Sequence, residues 1–598
     1  MRGENPVKLS DYIAAFLAER GCTHVFGYPG GAVTHLLDSL YQREDIKFIG
    51  TYQEQGAAFA AEGYARMKND IGVAMATSGP GATNLITGIG SAYFDSIPCL
   101  YLTGQVNTYE YKGDSPVRQV GFQETDIVSI VRPITKYAAR ITEPSQIKRE
   151  LEKAVALATS GRKGPVLLDI PMDIQRAEIN EKTLDGNIEQ IPEAADFNSD
   201  YVAEWLRQSS RPILLAGGGV RLSGAREPLQ EFAQRLKIPV VVSLMGRDAY
   251  DNAKLNYCGM IGAYGNRYAN LAIANSDLIL ALGTRLDTRQ TGTNVASFAR
   301  AAKLIRVDVD QNELDKKIKR DESDFAVDVG AFLRKLNENS KISKISSSAY
   351  RPWLERIQGF RQRYPSFMTE DLSDPNFILS ELSGMTGEND IICTDVGQNQ
   401  MWAAQSMTIT KNQRFLTSGG MGSMGFALPA AVGAYYSRVN QGSILAVVGD
   451  GGMQMNIQEL ALLERNHIPI KIIVMNNHSL GMIRHFQELY FGGRCNGTVK
   501  DYEAPDFCRI AAAYGIASAR VESLDELHEI KKLLASDEPV LIDIPLPQNT
   551  HVYPKLSVNR PVEDQEPLLP RAELAENMLI KLYLHSKTKQ GGGSDVPL

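Results

Sequence analysis

The stretch "VVGDGGMQMNIQELALLERNHIPIKIIVMNNHSLGM", residues 447–482, decides how the chain is read. It opens with an apolar run that ends at Gly449-Asp450-Gly451. A helix-like segment follows, then a second apolar run, "IKIIVM", that ends at Asn476-Asn477. A strand, a helix and a strand make a βαβ unit. Both polar clusters therefore fall at the carboxyl ends of strands, where open α/β sheets bind ligands. Twenty-four residues separate Gly451 from Asn476. Asp450 and Asn477 offer hard oxygen ligands, the glycines let the backbone approach a diphosphate, and the start of a helix favours anions. Mg2+ suits such a place because it takes few protein oxygens and keeps phosphate oxygens and water. Gly-Asp-Gly alone reads equally well as a glycine turn with an Asp cap. The asparagine pair at this distance favours a diphosphate and metal site.

Outward from that unit, strand-like runs alternate with helix-like stretches along the whole chain. "GVAMATS", "PCLYLTG" and "PVLLDIP" read as buried strands, and "SQIKRELEKAVALATS" as an amphipathic helix. The fold class expected is α/β, with three doubly wound parallel-sheet domains. Two internal likenesses support paired outer domains: "MATSGPGATN" (75–84) with "FLTSGGMGSMG" (415–425), and "GPVLLDIPMD" (164–173) with "EPVLIDIPLP" (538–547). Polar stretches suggest the boundaries. The first domain is read as 1–185, a middle domain as 195–340 and a third as 365–550, with a C-terminal extension over 551–598. "NENSKISKISSSAYRP" reads as a Ser/Lys-rich linker, 571–583 as one helix, and "KTKQGGGSDVPL" as a flexible tail.

Composition narrows the function classes. The 598 residues are 43% hydrophobic and 22% charged, with a formal net charge of −7. There is no basic tract, which argues against nucleic acid as a partner. Cysteines 22, 99, 258, 393, 495 and 508 form no C-x-x-C pair, so neither a zinc site nor a disulfide framework is expected. "MRGENPVKLSDYIAAFL" lacks a signal-type apolar core, and no apolar run reaches the ~18 residues a membrane span needs. A cytoplasmic protein is expected.

A second stretch raises a question that local pattern leaves open. In "TYQEQGAAFAAEGYAR" (51–66), Glu54 stands ahead of Gly56 and a run of alanines. It reads as a helix N-terminal acid favoured by the macrodipole, or as a catalytic acid in a dry, closely packed place. Glu62, further along, reads as a structural acid.

The 447–482 segment resembles the thiamine-diphosphate (ThDP) motif. "DVGQNQMWAAQ" (395–405), "TSGGMGSMGFALPAA" (417–431), "MNIQELA" (455–461), "TSGPGATN" (77–84) and "RPITKY" (132–137) narrow the resemblance to the large catalytic subunits of acetolactate (acetohydroxyacid) synthase, over nearly all of residues 8–550. The resemblance implies ThDP and Mg2+ as cofactors, with Asp450, Asn477 and the backbone carbonyl of Ser479 as metal ligands. It implies that Glu54 hydrogen-bonds the cofactor's aminopyrimidine and that Met424 props the cofactor in a bent shape. It places Phe122 and Gln123 near the reacting carbon as catalytic residues. Pro29, Gly30, Gly79, Asn84, Gln398, Gly422, Gly449, Gly451 and Gly452 are the further cofactor contacts. Arg289 would hold the carboxylate of a second 2-keto acid, with Lys136, Met482 and Phe486 beside the substrate. The activity implied is decarboxylation of pyruvate and transfer of its hydroxyethyl unit to that second keto acid, giving acetolactate or acetohydroxybutyrate. A homodimer or homotetramer with active sites at the subunit interface, and a regulatory small subunit, are the partners implied.

The middle domain, with "PILLAGGGVRLSGA" (212–225), "LILALGTRLDTRQTG" and "LIRVDVDQNEL", resembles the family's FAD-binding domain. Gly217, Gly218, Gly219 and Arg285 would then meet FAD, although a Gly-Gly-Gly turn is weak evidence alone. Three departures bear on the acceptor. "NTYEYKGDSPVRQVG" is longer than the family segment before "FQE". Ala263 and Tyr264 replace a Met-His pair. Phe486 replaces a tryptophan that favours 2-ketobutyrate, and Phe lacks the indole donor. The alternative acceptor is another carbonyl compound, such as the 4-keto nucleotide sugar of yersiniose-type pathways. A non-catalytic scaffold would lack at least one chemical residue, and none is missing.

Overall fold

Six strands of the first sheet are β1 (His24–Gly27), β2 (Lys47–Gly50), β3 (Gly72–Ala76), β4 (Cys99–Gln105), β5 (Tyr137–Arg140) and β6 (Val166–Pro171). All neighbours run parallel, in the order β2-β1-β3-β4-β6-β5. β3, β4 and β6 are buried at every residue, as strands covered by helices on both faces must be. Helix α1 (Glu54–Lys68) follows β2, and α2 (Ile86–Asp95) precedes β4. These coordinates are a computed structural model that describes residues 6–184, 186, 197–410, 412–437, 439 and 442–583. The expected C-terminal tail, 587–598, lies outside the described residues, as does most of the polar stretch after the first domain.

The central sheet holds β7 (Pro212–Ala216), β8 (Val240–Val242), β9 (Tyr257–Met260), β10 (Leu278–Leu282), β11 (Lys303–Asp308) and β12 (Ser323–Ala326). Its order is β9-β8-β7-β10-β11-β12, all parallel, and the direction of winding reverses between β7 and β10. A one-turn helix, α3 (Gly218–Leu222), leaves β7.

The third sheet holds β13 (Ile391–Thr394), β14 (Arg414–Thr417), β15 (Ile444–Gly449), β16 (Ile470–Asn476), β17 (Ala517–Arg520) and β18 (Val540–Pro545), in the order β14-β13-β15-β16-β18-β17. Helices α4 (Ala427–Ser437), α5 (Asp450–Met455) and α6 (Gly481–Tyr490) belong with it. In chain order this is the same winding as the first sheet: second, first, third, fourth, sixth, fifth strand.

That equivalence corrects one internal likeness. "TSGPG" follows the third strand of its sheet, whereas "TSGGMG" follows the second strand of the other. The true counterpart of "TSGPG" is the Gly-Asp-Gly turn. β15 begins 372 residues after β3 (444 against 72), and β18 begins 374 after β6 (540 against 166), so the two spacings agree. The "PVLLDIP" and "PVLIDIP" strands are equivalent as read.

The chain forms two compact units. One comprises residues 1–193, 369–403 and 412–551, and so contains both the first and the third sheet; the other comprises 194–368, 404–411 and 552–598. Within the first unit, α1 lies against α4. A Cβ on Gly63 would fall 2.2 Å from the Ala430 carbonyl oxygen, and one on Gly433 would fall 1.8 Å from that of Ala60. Only glycine permits backbones this close. Both helices are nearly all buried; α4 is apolar on nearly all sides, as a helix enclosed in a core is, whereas α1 buries Glu62 and pairs it with Arg66. Phe59 of α1 meets Phe426 edge-to-face at 5.5 Å, each ring contributing roughly 2 kcal/mol by burial.

Two further expectations change. The Ser/Lys-rich stretch is not an open linker. Ile342, Tyr350, Trp353 and Ile357 are buried in the second unit, and the Tyr350 hydroxyl donates to the Leu206 carbonyl at 2.7 Å. The helix read over 571–583 spans only Arg571–Asn577. It stops where the Leu579 N–H turns to the Asn275 side chain at 2.6 Å and the Asn577 amide donates to the Tyr364 hydroxyl at 2.6 Å.

Candidate active site

β15 and β16 are paired neighbours, with Gly449 opposite Met475, so the turns that leave them sit side by side. Asp450 is buried at the start of α5, and its Oδ2 accepts the Tyr502 hydroxyl at 3.1 Å. Burial pushes its carboxyl up to about 6, against the pull of the Tyr502 hydroxyl and the Gly451 N–H. Asn476 and Asn477 have separate tasks. Asn476 donates to Asp543 Oδ1 at 3.0 Å, inside the sheet. Asn477 donates Nδ2 to Gln398 Oε1 at 2.7 Å, which fixes which face of its amide carries the oxygen. Gln398 in turn donates to the Thr550 carbonyl at 3.0 Å. Gln398 therefore orients a candidate metal ligand. Ser479 Oγ accepts from Arg484 at 3.0 Å.

The glycines of this turn are crowded. A Cβ on Gly451 would lie 2.5 Å from Leu480 Cδ2 and 3.3 Å from Met424 Cε; one on Gly452 would lie 2.8 Å from Asp395 Oδ1. Met424 thus reaches over the Asp450–Gly451 turn from the loop between β14 and α4. In that loop Gly422 has φ +70°, a left-handed conformation that suits glycine. A backbone cradle with a buried carboxylate and an oriented amide fits a diphosphate held through Mg2+. No group of three or more His, Cys, Asp or Glu that could hold a metal occurs among the described residues.

At the other sheet, Glu54 opens α1, whose N-cap is Gln53; the Gln53 side chain accepts from the Gln55 N–H at 2.6 Å and the Gly56 N–H at 3.3 Å. Glu54 is 7% exposed, and its Oε2 accepts the Asn84 amide at 2.9 Å. Asn84, expected to touch the cofactor, here touches the carboxyl that would. A Cβ on Gly81 would lie 3.2 Å from Glu54 Oε1. A Cβ on Gly30 would lie 2.4 Å from Thr77, and one on Gly79, at φ +62°, would lie 2.9 Å from Gln123. Pro29-Gly30, Glu54, Gly79-Asn84 and Phe122-Gln123 follow β1, β2, β3 and β4 respectively, four adjacent strands, so the sheet order gathers them at one edge. Gln123 has φ +63° and Phe122 is 84% exposed. The longer segment before them is held by Glu124, which accepts the N–H groups of Lys112 and Val120 at 2.8 Å and of Gly121 at 3.2 Å.

Met482 and Phe486 lie four residues apart on α6, hence on one face; Phe486 is exposed and packs on Tyr490 at 4.6 Å between centroids. Lys136 does not join the site. It precedes β5, at the amino end of the sheet, and its ammonium donates to the carbonyls of Leu157 and Ser160. It closes the end of the helix Ile147–Thr159, and the substrate assignment is withdrawn.

In the second unit, Gly217–Gly219 leave β7 and Arg285 and Arg289 leave β10, the two strands at the reversal point, where open sheets hold dinucleotides. Gly217 and Gly219 pack against the Gly283 turn, with Cβ positions 2.2 Å from the Gly283 carbonyl oxygen and 2.7 Å from its Cα. Arg285 pairs with Asp287 at 3.5 Å, and Arg289 is exposed.

Sequence reasoning missed three side chains. Tyr502 lies on a loop with no periodicity to mark it. Asp395 accepts the N–H groups of Gly425 at 2.9 Å and Ala427 at 3.0 Å, holding the Met424 loop. Glu459, fully buried, reaches from the third sheet to accept the Tyr52 N–H at 3.0 Å, two residues before Glu54. The available signals were the place of Glu459 in "MNIQELA" and of Asp395 at the head of "DVGQNQMWAAQ".

Comparison with known proteins gives the family. Family descriptions for thiamine pyrophosphate enzymes match three successive segments: the N-terminal TPP binding domain over residues 7–130, the central domain over 199–336 and the C-terminal TPP binding domain over 395–544. The acetolactate synthase large subunit of Lactococcus lactis is 37% identical over 561 residues, covering 92% of this chain and 95% of the relative. A probable acetolactate synthase large subunit of Methanocaldococcus jannaschii is 38% identical, covering 90% and 92%. That of Corynebacterium glutamicum is 38% identical, covering 91% and 88%. The chain belongs to the thiamine pyrophosphate enzymes, in the family of acetolactate synthase large subunits.

Proposed function

We propose that the chain is a ThDP-dependent carboligase that decarboxylates pyruvate and joins the two-carbon unit to a second 2-keto acid, giving acetolactate or acetohydroxybutyrate. The observation that carries this is the pair of prepared carboxyl sites: Glu54 buried at one sheet edge against Asn84, and Asp450 buried at the other beside the oriented Asn477 amide. ThDP supplies an electron sink for the carbanion left when carbon dioxide departs. Asp450, Asn477 and the Ser479 carbonyl would hold Mg2+ and, through it, the diphosphate. Glu54 would hold a proton at the aminopyrimidine end, in a place that buried alanines keep dry. Met424 would set the bend, and Phe122 and Gln123 would line the reacting centre. Arg289, a planar forked donor, suits the carboxylate of the acceptor.

The crevice between β7 and β10 supports FAD as a further cofactor, with Gly217–Gly219 and Arg285 beside it. Flavin absorbance released on denaturation would check this. Phe122, Met421, Met455 and Phe486 are exposed apolar side chains of the first unit, and their need for cover supports a homodimer or homotetramer with sites at the interface. The relatives' name, large subunit, supports a small regulatory partner. No helix among the described residues is long and apolar enough to cross a membrane; a cytoplasmic location is part of this proposal. The three family segments each fall inside one of the domain spans 1–185, 195–340 and 365–550, which supports those boundaries.

The relatives do not favour the nucleotide-sugar acceptor. The test is incubation with pyruvate, ThDP and Mg2+, following carbon dioxide and acetolactate; release of neither would refute the proposal. Phe486→Trp restores an indole to α6 and is expected to raise the preference for 2-ketobutyrate over pyruvate by roughly tenfold, about what one good apolar contact discriminates. An unchanged product ratio would remove Phe486 from the acceptor pocket.

A further inference from the structure

The loop that carries Met424 is tied to the first sheet by one carboxylate. Asp95, the last residue of α2, accepts the Gly419 N–H on Oδ2 at 3.0 Å and the Gly420 N–H on Oδ1 at 2.7 Å. The same Oδ2 is paired with the Arg66 guanidinium at 2.7 Å, and Arg66 is paired with Glu62 at 2.5 Å; the side chains of both acids are fully buried and that of Arg66 is 8% exposed. A charged acceptor shared by two backbone donors is far stronger than a neutral one, and in a dry place it admits little play. The loop also has no room to slide. A Cβ on Gly420 would lie 2.6 Å from Phe94 Cβ, one on Gly90 would lie 2.6 Å from Met421 Sδ, and Ser91 and Ser418 share a hydrogen bond at 3.1 Å. Four residues past Gly420, Met424 reaches over the Asp450–Gly451 turn.

We propose that Asp95, held by Arg66, is a positioning residue for the ThDP site: it fixes the 418–424 loop and so sets Met424 above the turn that takes the diphosphate. Arg66 acts through Asp95, and Glu62 keeps the guanidinium forked between two acids. The sequence marks neither role, because Arg66 and Asp95 each read as an ordinary helix residue. A purely structural role would be cohesion between α1, α2 and the third sheet. Arg414 provides that comparison: it donates to the Arg66 carbonyl at 3.0 Å across the same contact.

The inference rests on the assignment of the Asp450 turn to ThDP, and the two can fail separately. The full chain with Mg2+ is titrated with ThDP by calorimetry, and C2 hydrogen–deuterium exchange of bound ThDP is followed by NMR at saturation. Wild type that fails to bind ThDP overturns the assignment itself. With wild type bound, Asp95→Asn is expected to weaken ThDP about tenfold and to slow C2 exchange at saturation by a similar factor, the lower end of what outer contacts of such sites supply. Arg66→Lys keeps the charge and loses the fork; a shift of about threefold in the same direction is expected by that reasoning, and it carries the test if Asp95→Asn does not fold. Arg414→Gln is expected to lower the melting temperature with ThDP affinity unchanged. If Asp95→Asn and Arg66→Lys lower the melting temperature as Arg414→Gln does, yet leave affinity and exchange at wild-type values, the network is cohesion only and the proposal is overturned.

Discussion

The first and third sheets wind identically, yet their equivalent turns carry opposite chemistry. After β15 the chain presents Asp450, a buried acid beside the Asn477 amide. After β3 it presents Thr77–Asn84, with no acid, and the acid comes instead from two strands away across β1, as Glu54 after β2. One architecture thus makes two half-sites, one suited to a diphosphate and its metal, the other to a ring with a basic nitrogen. Strand order decides which loops can meet. The side chains on those loops decide what they can bind.

The strongest break in that comparison is at the ring end. Glu54→Gln keeps the shape and the Asn84 contact but cannot exchange a proton; turnover of pyruvate is expected to fall by roughly 10²–10⁴-fold. ThDP affinity, measured on the same protein, should change far less. Turnover at the wild-type rate would return Glu54 to the role of a helix-start acid.

At the diphosphate end, Asp450→Asn removes the charged metal ligand and is expected to weaken Mg2+-dependent ThDP binding about 100-fold, the upper end of what mutations near metal ligands cost. The readout is a calorimetric titration at fixed Mg2+; an affinity within a few-fold of wild type would show that Asp450 is not a ligand. The two variants should therefore separate, one losing turnover and the other affinity.

A third change attacks the seam between the halves. Gly433→Ala puts a methyl 1.8 Å from the Ala60 carbonyl oxygen, so α1 and α4 must move apart. Overpacking of this kind costs about 1–3 kcal/mol, read as a lower melting temperature. An unchanged melting temperature would show that the helices separate freely.

The smallest expected effect depends on pH. Burial pushes Glu459 from 4.5 up to about 7, against the pull of the Tyr52 and Gln53 N–H groups. The folded state then binds this proton more tightly than the unfolded state. The stabilisation is complete below about 4.5 and is lost as pH rises through about 7. Glu459→Gln should flatten the melting temperature over that interval relative to wild type; parallel profiles would remove Glu459 as the cause.

The turns of the candidate site were legible where the pattern is local: Gly-Asp-Gly and Asn-Asn stand at the ends of two apolar runs. Glu54 was not, because the small residues behind it suit a helix-start acid as well as a catalytic one, and only the family resemblance proposed its role. Lys136 was misread because a motif states that a residue recurs, not which end of a strand it occupies. "TSGGMG" was matched to the wrong turn because like glycine patterns serve any tight loop beside a sheet. Asn84 was placed near the cofactor, while its amide is engaged by Glu54. The linker was read from its serines and lysines, although Tyr350 and Trp353 beside them are buried.

By itself the sequence determined the α/β class, several of the buried strands, and the residue types at the turns that leave them, because periodicity records which faces are buried and turn residues record where the backbone bends. Only the tertiary structure decided which of those residues act on one another. Glu459 meets Tyr52 across 407 positions of sequence and Asp95 meets Gly420 across 325. Such pairs are set by strand order and by the close approach of α1 and α4. No local pattern encodes either, since a buried acid looks the same in sequence whichever backbone it holds.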